Sequence, residues 1–322
     1  MPLAAKIRPM LAESKSHPDR HAATLVQLAS GSNAAAHQPP GLGARDCRID
    51  QKLLLWRARR AMTRSEAARA HLDRWPEASH PDLWAGTVRD GVARGFSAAL
   101  EEVISLASPE DGADPFELPA DARVTTGKDL RRRRDVLLAS GGARCRFSRK
   151  TGLLFVDRES DVQSANCLRF EARRDCGSLD HFEPDAAERP RLFSAQFLQP
   201  ELLAETSDTT LLRLVGRLGR GPIGWRCALT LVGRIADDAV HLRIELPGSE
   251  PGWRLRARFL GLPSATVTHH CTDVREEVAG AQGRFVAYTL SRACGVLHVD
   301  GQPVAVPGAS DHGPLVHDFD LR

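Results

Sequence analysis

LLFVDRESDVQSANCLRFEARRDCGSLDHFEPD, residues 153 to 185, decides how the rest of the chain is read. It opens on the apolar run Leu153-Leu154-Phe155-Val156 and falls into a polar turn at Asp157 to Ser160. It then rises into Leu168-Arg169-Phe170-Glu171 before a loop punctuated by Gly177 and Pro184. Short apolar runs bounded by turn residues, with no helical period, predict two antiparallel strands in a β-rich domain.

Downstream the same logic becomes regular. Trp225, Cys227, Leu229 and Leu231 alternate with Arg226, Ala228 and Thr230, and Val240, Leu242 and Ile244 alternate with His241, Arg243 and Glu245. Trp253, Leu255, Ala257 and Phe259 alternate with Arg254, Arg256 and Arg258. A period of two sends the two sets to opposite faces of a strand. Gly, Pro and Asp-Asp turns separate the runs and no helical pattern intervenes. The expected fold is therefore mainly β, an antiparallel β-sandwich whose sheets each have one buried and one wet face.

The sandwich is expected over residues 123 to 322. Upstream, residues 1 to 48 are rich in Ala, Ser, Gly, Pro and His and carry no aromatic residue, the composition of a disordered or remnant tail. Residues 49 to 107 read as a helical hairpin or bundle remnant. Trp84, Val88, Val92, Phe96, Leu100 and Ile104 fall at successive i,i+4 positions, with Pro81 and Asp82 at the start and Ser108-Pro109 at the stop. Residues 108 to 122, crowded with Pro and acids, form the expected linker.

Composition excludes several classes of partner. Lys+Arg 44 against Asp+Glu 41 gives a formal charge of only +3, so there is no bulk pull toward nucleic acid. The basic run Arg131 to Arg134 lacks interleaved aromatics and reads as a solvated edge. No apolar run approaches the roughly 18 residues that span a bilayer, and no apolar segment follows Lys6 and Arg8. A soluble, cytoplasmic protein with no membrane contact is expected. The seven cysteines are odd in number and never spaced C-x-x-C, so they read as small core residues rather than a disulfide framework or zinc ribbon.

Beyond its periodicity, the opening stretch has an order of its own. Asp157-Arg158 with Ser160, then Leu168-Arg169-Phe170-Glu171, then Asp175-x-Gly177 and an exit through Phe182 and Pro184 resembles the start of the C-terminal β-sandwich of family 38 glycoside hydrolases, the α-mannosidases and their bacterial relatives. In that family the loop reads roughly l-x-FED-x-gD-x-GD-x-Y-x-fsP; Ser178, Leu179 and Asp180 do not reproduce its last Asp and Tyr. Trp253 to Leu262 is similar to the family's d-H-R-L-R-v-x-F-p-t-G strand, and Arg284-Phe285-Val286 with Gly295-Val296-Leu297 to its late strands. The likeness covers about half the chain.

The resemblance implies a galactose-mutarotase-like supersandwich preceded by a helical bundle. It also implies α-mannoside hydrolysis by a zinc ion on His and Asp ligands with an Asp nucleophile, all in an N-terminal α/β barrel of a few hundred residues. No stretch of this chain could be that barrel. The expectation is therefore a non-catalytic C-terminal sandwich from a truncated or split gene product, inactive by itself and without a cofactor of its own. Its partner would be carbohydrate or a separate catalytic barrel. Asp175, Asp180 and His181 fall in the loop that the family points toward its sugar site, which makes them candidate substrate contacts. A free-standing carbohydrate-binding or protein-interaction module is the alternative, and an enzyme with an unrecognised loop site is a third reading.

Candidate metal ligands have bland explanations beside them. His17-Pro18-Asp19 sits in the expected tail, and His80-Pro81-Asp82 sits at a helix start, where capping accounts for it. In His269-His270-Cys271-x-Asp273 a strand would send His269 and Cys271 to one side and His270 to the other, too few converging ligands for zinc. Asp311-His312, His298 and His317 are isolated. Arg254, Arg256 and Arg258 would stand about 7 Å apart on one strand face. They are read either as cross-strand partners of an acid, with Glu245 the candidate, or as a face that a catalytic barrel or acidic partner would cover.

Overall fold

The computed structural model describes residues 98, 101–102, 104–105, 114–150, 152–156, 163–164, 167–178, 182–195, 198–219, 223–261, 267–269, 275–280, 283–299, 302–305 and 314–322. The expected tail and most of the expected helical hairpin lie outside them, although Ala98, Glu101, Glu102, Ile104 and Ser105 are helical.

In chain order the elements are β1 (Arg123–Thr126), α1 (Gly127–Arg132), β2 (Asp135–Ala139), β3 (Arg144–Ser148), β4 (Gly152–Val156), β5 (Gln163–Ser164) and β6 (Leu168–Arg174). Then come β7 (Arg191–Ser194), β8 (Gln199–Glu205), β9 (Thr209–Leu218), β10 (Trp225–Arg234), β11 (Val240–Leu246) and β12 (Trp253–Leu260). The last are β13 (Val267–His269), β14 (Arg275–Gly280), β15 (Gly283–Arg292), β16 (Val296–Val299), β17 (Gln302–Ala305) and β18 (Leu315–Leu321).

The chain divides into two compact units. One is Ala113–Arg174, Asp185–Ser291 and His312–Arg322, and it holds the sandwich. A seven-stranded sheet runs β1-β8-β9-β10-β11-β18-β13, and a five-stranded sheet runs β14-β15-β12-β6-β7. Every strand pair recorded in them is antiparallel. The alternating apolar residues supply the packing between the sheets. Trp225 of β10 meets Trp253 of β12 edge-on at 6.3 Å, and Phe259 of β12 lies 5.3 Å from Phe319 of β18. Leu229, Leu231, Leu242, Ile244, Leu255 and Phe259 are each no more than 1 % exposed, so the period-two reading chose the inner face correctly.

A smaller sheet, β2-β3-β4-β5, belongs to the same unit. Its β2–β3 turn is closed by Ser140, whose amide donates to the Ala143 carbonyl at 2.8 Å while its hydroxyl oxygen accepts the Ala143 amide at 2.8 Å. Gly141 donates its amide to the Asp237 carbonyl at 2.6 Å, seating the turn on the β10–β11 turn. A Cβ at Gly142 would stand 2.0 Å from the Asp238 carbonyl oxygen, which is why only glycine fits there.

The second half of the expected linker is part of this unit. Phe116, Ala122 and Leu202 pack on the buried cluster Ala204, Leu211 and Val232, which lies on the outer face of the seven-stranded sheet. The basic run ends α1 and stays exposed, with Arg133 paired to Glu205 at 2.8 Å.

The other unit comprises Met1–Gly112, Asp175–Pro184 and Arg292–Asp311. Its described strands, β16 and β17, pair as a hairpin.

Candidate functional site

The loop expected to reach substrate begins at Asp175. Its side chain is fully buried and both oxygens are committed within the loop's own unit. Oδ2 accepts from Arg292 Nε at 2.6 Å, and Oδ1 accepts the amides of Gly177 at 3.0 Å and Glu183 at 3.4 Å. Arg292, equally buried, donates through Nη2 to the Ser178 carbonyl at 2.5 Å. The Asp-x-Gly spacing is thus a carboxylate folding its own turn, locked by an arginine 117 residues away. In this arrangement Asp175 holds the loop together. Asp180 and His181 lie outside the described residues.

The three arginines expected to form an outward partner face are buried, with Arg254 4 %, Arg256 5 % and Arg258 8 % exposed. Register explains their company. Arg254, Arg256 and Arg258 of β12 stand opposite Arg173, Glu171 and Arg169 of β6. On these two strands that face therefore carries five arginines and a single carboxylate. Glu171 accepts from Arg256 Nη2 at 2.5 Å, Arg258 Nη1 at 2.8 Å and Arg173 Nε at 3.1 Å, and the Arg258 guanidinium lies 3.7 Å from the Phe285 ring centre. Burial by itself would raise the Glu171 pKa; Arg256, Arg173 and Arg258 overcome it and hold the carboxyl below its ordinary range. Burial lowers the Arg258 pKa, and Arg256, Arg169 and Arg173 push the same way against Glu171. A cross-strand acid is present as expected, but it is Glu171. Glu245 pairs instead with Arg213 at 2.5 Å.

That second pair belongs to a charged face on the outside of the seven-stranded sheet. Arg213 also reaches Glu201 at 3.1 Å and Thr230 at 3.1 Å. In the same cross-strand row as Arg213 and Thr230, Arg243 grips Asp318 through Nε at 2.7 Å and Nη2 at 2.9 Å, holds Asp114 at 3.0 Å, and lies 4.1 Å from the Phe116 ring centre. Against a burial effect of opposite sign, Asp318 and Asp114 hold its pKa above the ordinary arginine value. His241 sits between Asp320, 2.7 Å from Nδ1, and Asp237, 3.1 Å from Nε2. The Asp320 hydrogen bond is the largest influence, and with Asp237 it raises the His241 pKa against burial.

His269, the described member of the densest metal-capable run, is a core residue. Its ring stacks 4.4 Å from Phe319, and its Nε2 lies 3.1 Å from His317 Nδ1. His317 Nε2 faces the Leu290 carbonyl at 2.8 Å, which can only accept. With both rings neutral, His317 therefore carries its proton on Nε2 and takes a hydrogen bond from His269 at Nδ1. That chain uses the lone pair of His317 internally. His270, Cys271 and Asp273 lie outside the described residues, as do both His-Pro-Asp runs. Among the described residues no group of three or more His, Cys, Asp or Glu side chains is arranged to hold a metal ion. Nor is any helix among them long and apolar enough to cross a membrane.

No family model and no curated protein sequence matches this chain. Solved structures do match its fold. An α-mannosidase from Enterococcus faecalis V583 superposes with a TM-score of 0.58 at 11% identity, over 87% of this chain and 55% of that one. A glycosyl hydrolase family 38 protein from Enterococcus faecalis gives a TM-score of 0.55 at 11% identity, over 87% of this chain and 56% of that one. The chain spans a little over half the length of these structures, and identity this low speaks for the fold alone.

Proposed function

We propose that this chain is the β-sandwich part of an α-mannosidase-like glycoside hydrolase, supporting a catalytic domain rather than carrying the chemistry itself. What supports the reading is the shape of the match: it takes in 87% of this chain but only 55% of the α-mannosidase. The residues of the chain agree with a supporting role. Asp175, in the loop the resemblance points at sugar, holds its own turn, and the Arg254 to Arg258 ladder closes on Glu171 inside the chain.

The zinc expected of the hydrolase would need His and Asp ligands that converge, and the described residues do not fit it: His269 is spent on His317. No step is assigned to a metal here. The test is a zinc-supplemented assay of the purified chain with an activated aryl α-mannoside. No turnover is expected. Turnover that disappears in Asp82→Ala would overturn the reading and place a metal ligand in the N-terminal segment. A glycan-array screen of the same sample checks the carbohydrate-binding alternative, and saturable binding there would replace the supporting role with a recognition role.

A further inference from the structure

Along the chain Arg131 to Arg134 is an isolated basic run, but the fold sets a second one beside it. Arg149 and Lys150 sit at the tip of the β3–β4 hairpin, just past Ser148, which pairs with Gly152. Arg149 Nη1 lies 3.5 Å from the Arg131 carbonyl oxygen, so the hairpin tip rests against the last turn of α1. Each piece is anchored. Leu130, 1 % exposed, pins α1, and Val136, 6 % exposed, pins the start of β2, so the four arginines occupy a short stretch held at both ends. The Ser148 hydroxyl oxygen accepts the Lys150 amide at 3.3 Å and fixes the tip.

Most of this charge has no counterpart. Lys128 and the four arginines, with Arg149 and Lys150, are all exposed, and the acids within or paired to these segments are Asp129, Asp135 and Glu205. Glu205 holds Arg133 at 2.8 Å, whereas Asp129 stands 3.7 Å from Arg132 with both side chains at least 80 % exposed, a pair that water screens. The side chains of Lys128, Arg131, Arg134, Arg149 and Lys150 meet no carboxylate among the described residues. Seven cations against three acids leave a surplus of four, more than the +3 of the entire chain. Outside this patch, bases and acids are therefore close to balance.

The kind of charge and its extent select the partner. Five of the seven cations are arginines, whose planar forks match the paired oxygens of sulfate and carboxylate. From the start of α1 to β2 the patch runs only about 15–20 Å, given the rise of a helix and of extended chain. A stiff duplex laid on it would run off onto surface where acids match bases, while a flexible chain of charged units can turn within it. These segments carry no aromatic side chain, so unstacked bases find no platform there.

We propose that this patch is a docking surface for a linear acidic polysaccharide, whose sulfate or carboxylate groups seat on Arg131, Arg134, Arg149 and the two lysines. Binding releases counterions from both partners, so affinity falls as salt is added. The proposal does not rest on the hydrolase reading, because every residue it uses belongs to the sandwich unit and none of them acts on a glycosidic bond.

The test is calorimetric titration of the full chain with a heparin oligosaccharide, with neutral dextran, a short DNA duplex and phosphatidylserine vesicles as comparators. Heparin is expected to bind saturably and to weaken steeply with added salt, dextran not to bind, and the duplex and vesicles to bind at least tenfold more weakly. Arg149→Gln with Lys150→Gln should weaken heparin tenfold or more. Arg189→Gln with Arg226→Gln removes the same charge from exposed positions outside the patch and should leave the affinity unchanged. No saturable heparin binding to folded protein would overturn the proposal. Equal losses in the two double variants would also sink it, because bulk charge would then account for the binding. A duplex or vesicle bound as tightly as heparin would replace the polysaccharide with that partner.

Discussion

The two sheets each turn a ladder of charged side chains away from the shared core, and the ladders have opposite characters. On β6 and β12, Glu171, whose side chain is 2 % exposed, shares its face with five arginines and binds three of them. On β9, β11 and β18, Arg213, Arg243 and His241 each face two carboxylates, and the Arg213 side chain is 36 % exposed. In the first ladder one acid has many neighbours; in the second each cation has its own pair. Burial decides what each is worth. A buried carboxylate removed from its arginines leaves uncompensated charge in a poorly solvated place, whereas water screens the exposed pairs.

The largest effect should come from Glu171→Gln, which strips that carboxylate from at least three guanidinium groups. A loss of about 3–5 kcal/mol in urea unfolding is expected, and a loss under about 1 kcal/mol would erase the contrast between the ladders. The same carboxylate gives an acid limb. Because its folded pKa is depressed, its contribution is fully present above its unfolded pKa, near the ordinary glutamate value of 4.5, and is lost as pH falls through the lower folded value. Glu171→Gln should remove that part of the acid dependence of the melting temperature.

Next in size is Asp318→Asn, which weakens a bidentate grip on a half-buried Arg243 and should cost about 1.5–3 kcal/mol. Its double-mutant cycle with Asp114→Asn should show coupling through Arg243, and simple additivity would mean that the strap from Asp114 is held by Phe116 alone. A smaller effect is expected at His241. A raised folded pKa contributes stability that is complete below the unfolded value, near the ordinary histidine value of 6.5, and is lost as pH rises through the folded value. Stability of the native chain should therefore decline from about pH 6.5 upward by on the order of 1 kcal/mol, and His241→Gln should flatten that slope. Smallest of all is Glu201→Gln, an exposed partner of Arg213, expected within about 0.5 kcal/mol of the native chain. A large loss there would mean that the outer ladder acts as one network.

The strands themselves were legible because burial of an inner face imposes a period of two, and Trp225 to Leu231 and Val240 to Leu246 follow it cleanly. The fate of the other face was not. Arg254-x-Arg256-x-Arg258 and His241-x-Arg243-x-Glu245 look alike as alternations, yet all of β12 is buried and the alternating polar residues of β11 are partly exposed. Whether an outer face is covered depends on segments far off in sequence. The partner acid was misassigned for a related reason. Glu245 lies on the preceding strand in sequence, but β12 sits between β15 and β6. The Asp175 turn carried a readable signal in Asp-x-Gly, while Arg292 carried none, since only the fold brings it there.

The β2–β3 turn has a consequence for anyone wishing to modify this protein. Gly141 and Gly142 are exposed, in a short hairpin connection of small residues, where an affinity tag, a fluorescent reporter or new chain termini would ordinarily be placed. Yet Gly141 donates its amide to Asp237, and the path of Gly142 beside Asp238 leaves no space for even a methyl group. Cargo spliced there would pry two hairpins apart. The loop at Gly248, where an added Cβ meets nothing within 4 Å, is the better point of attachment.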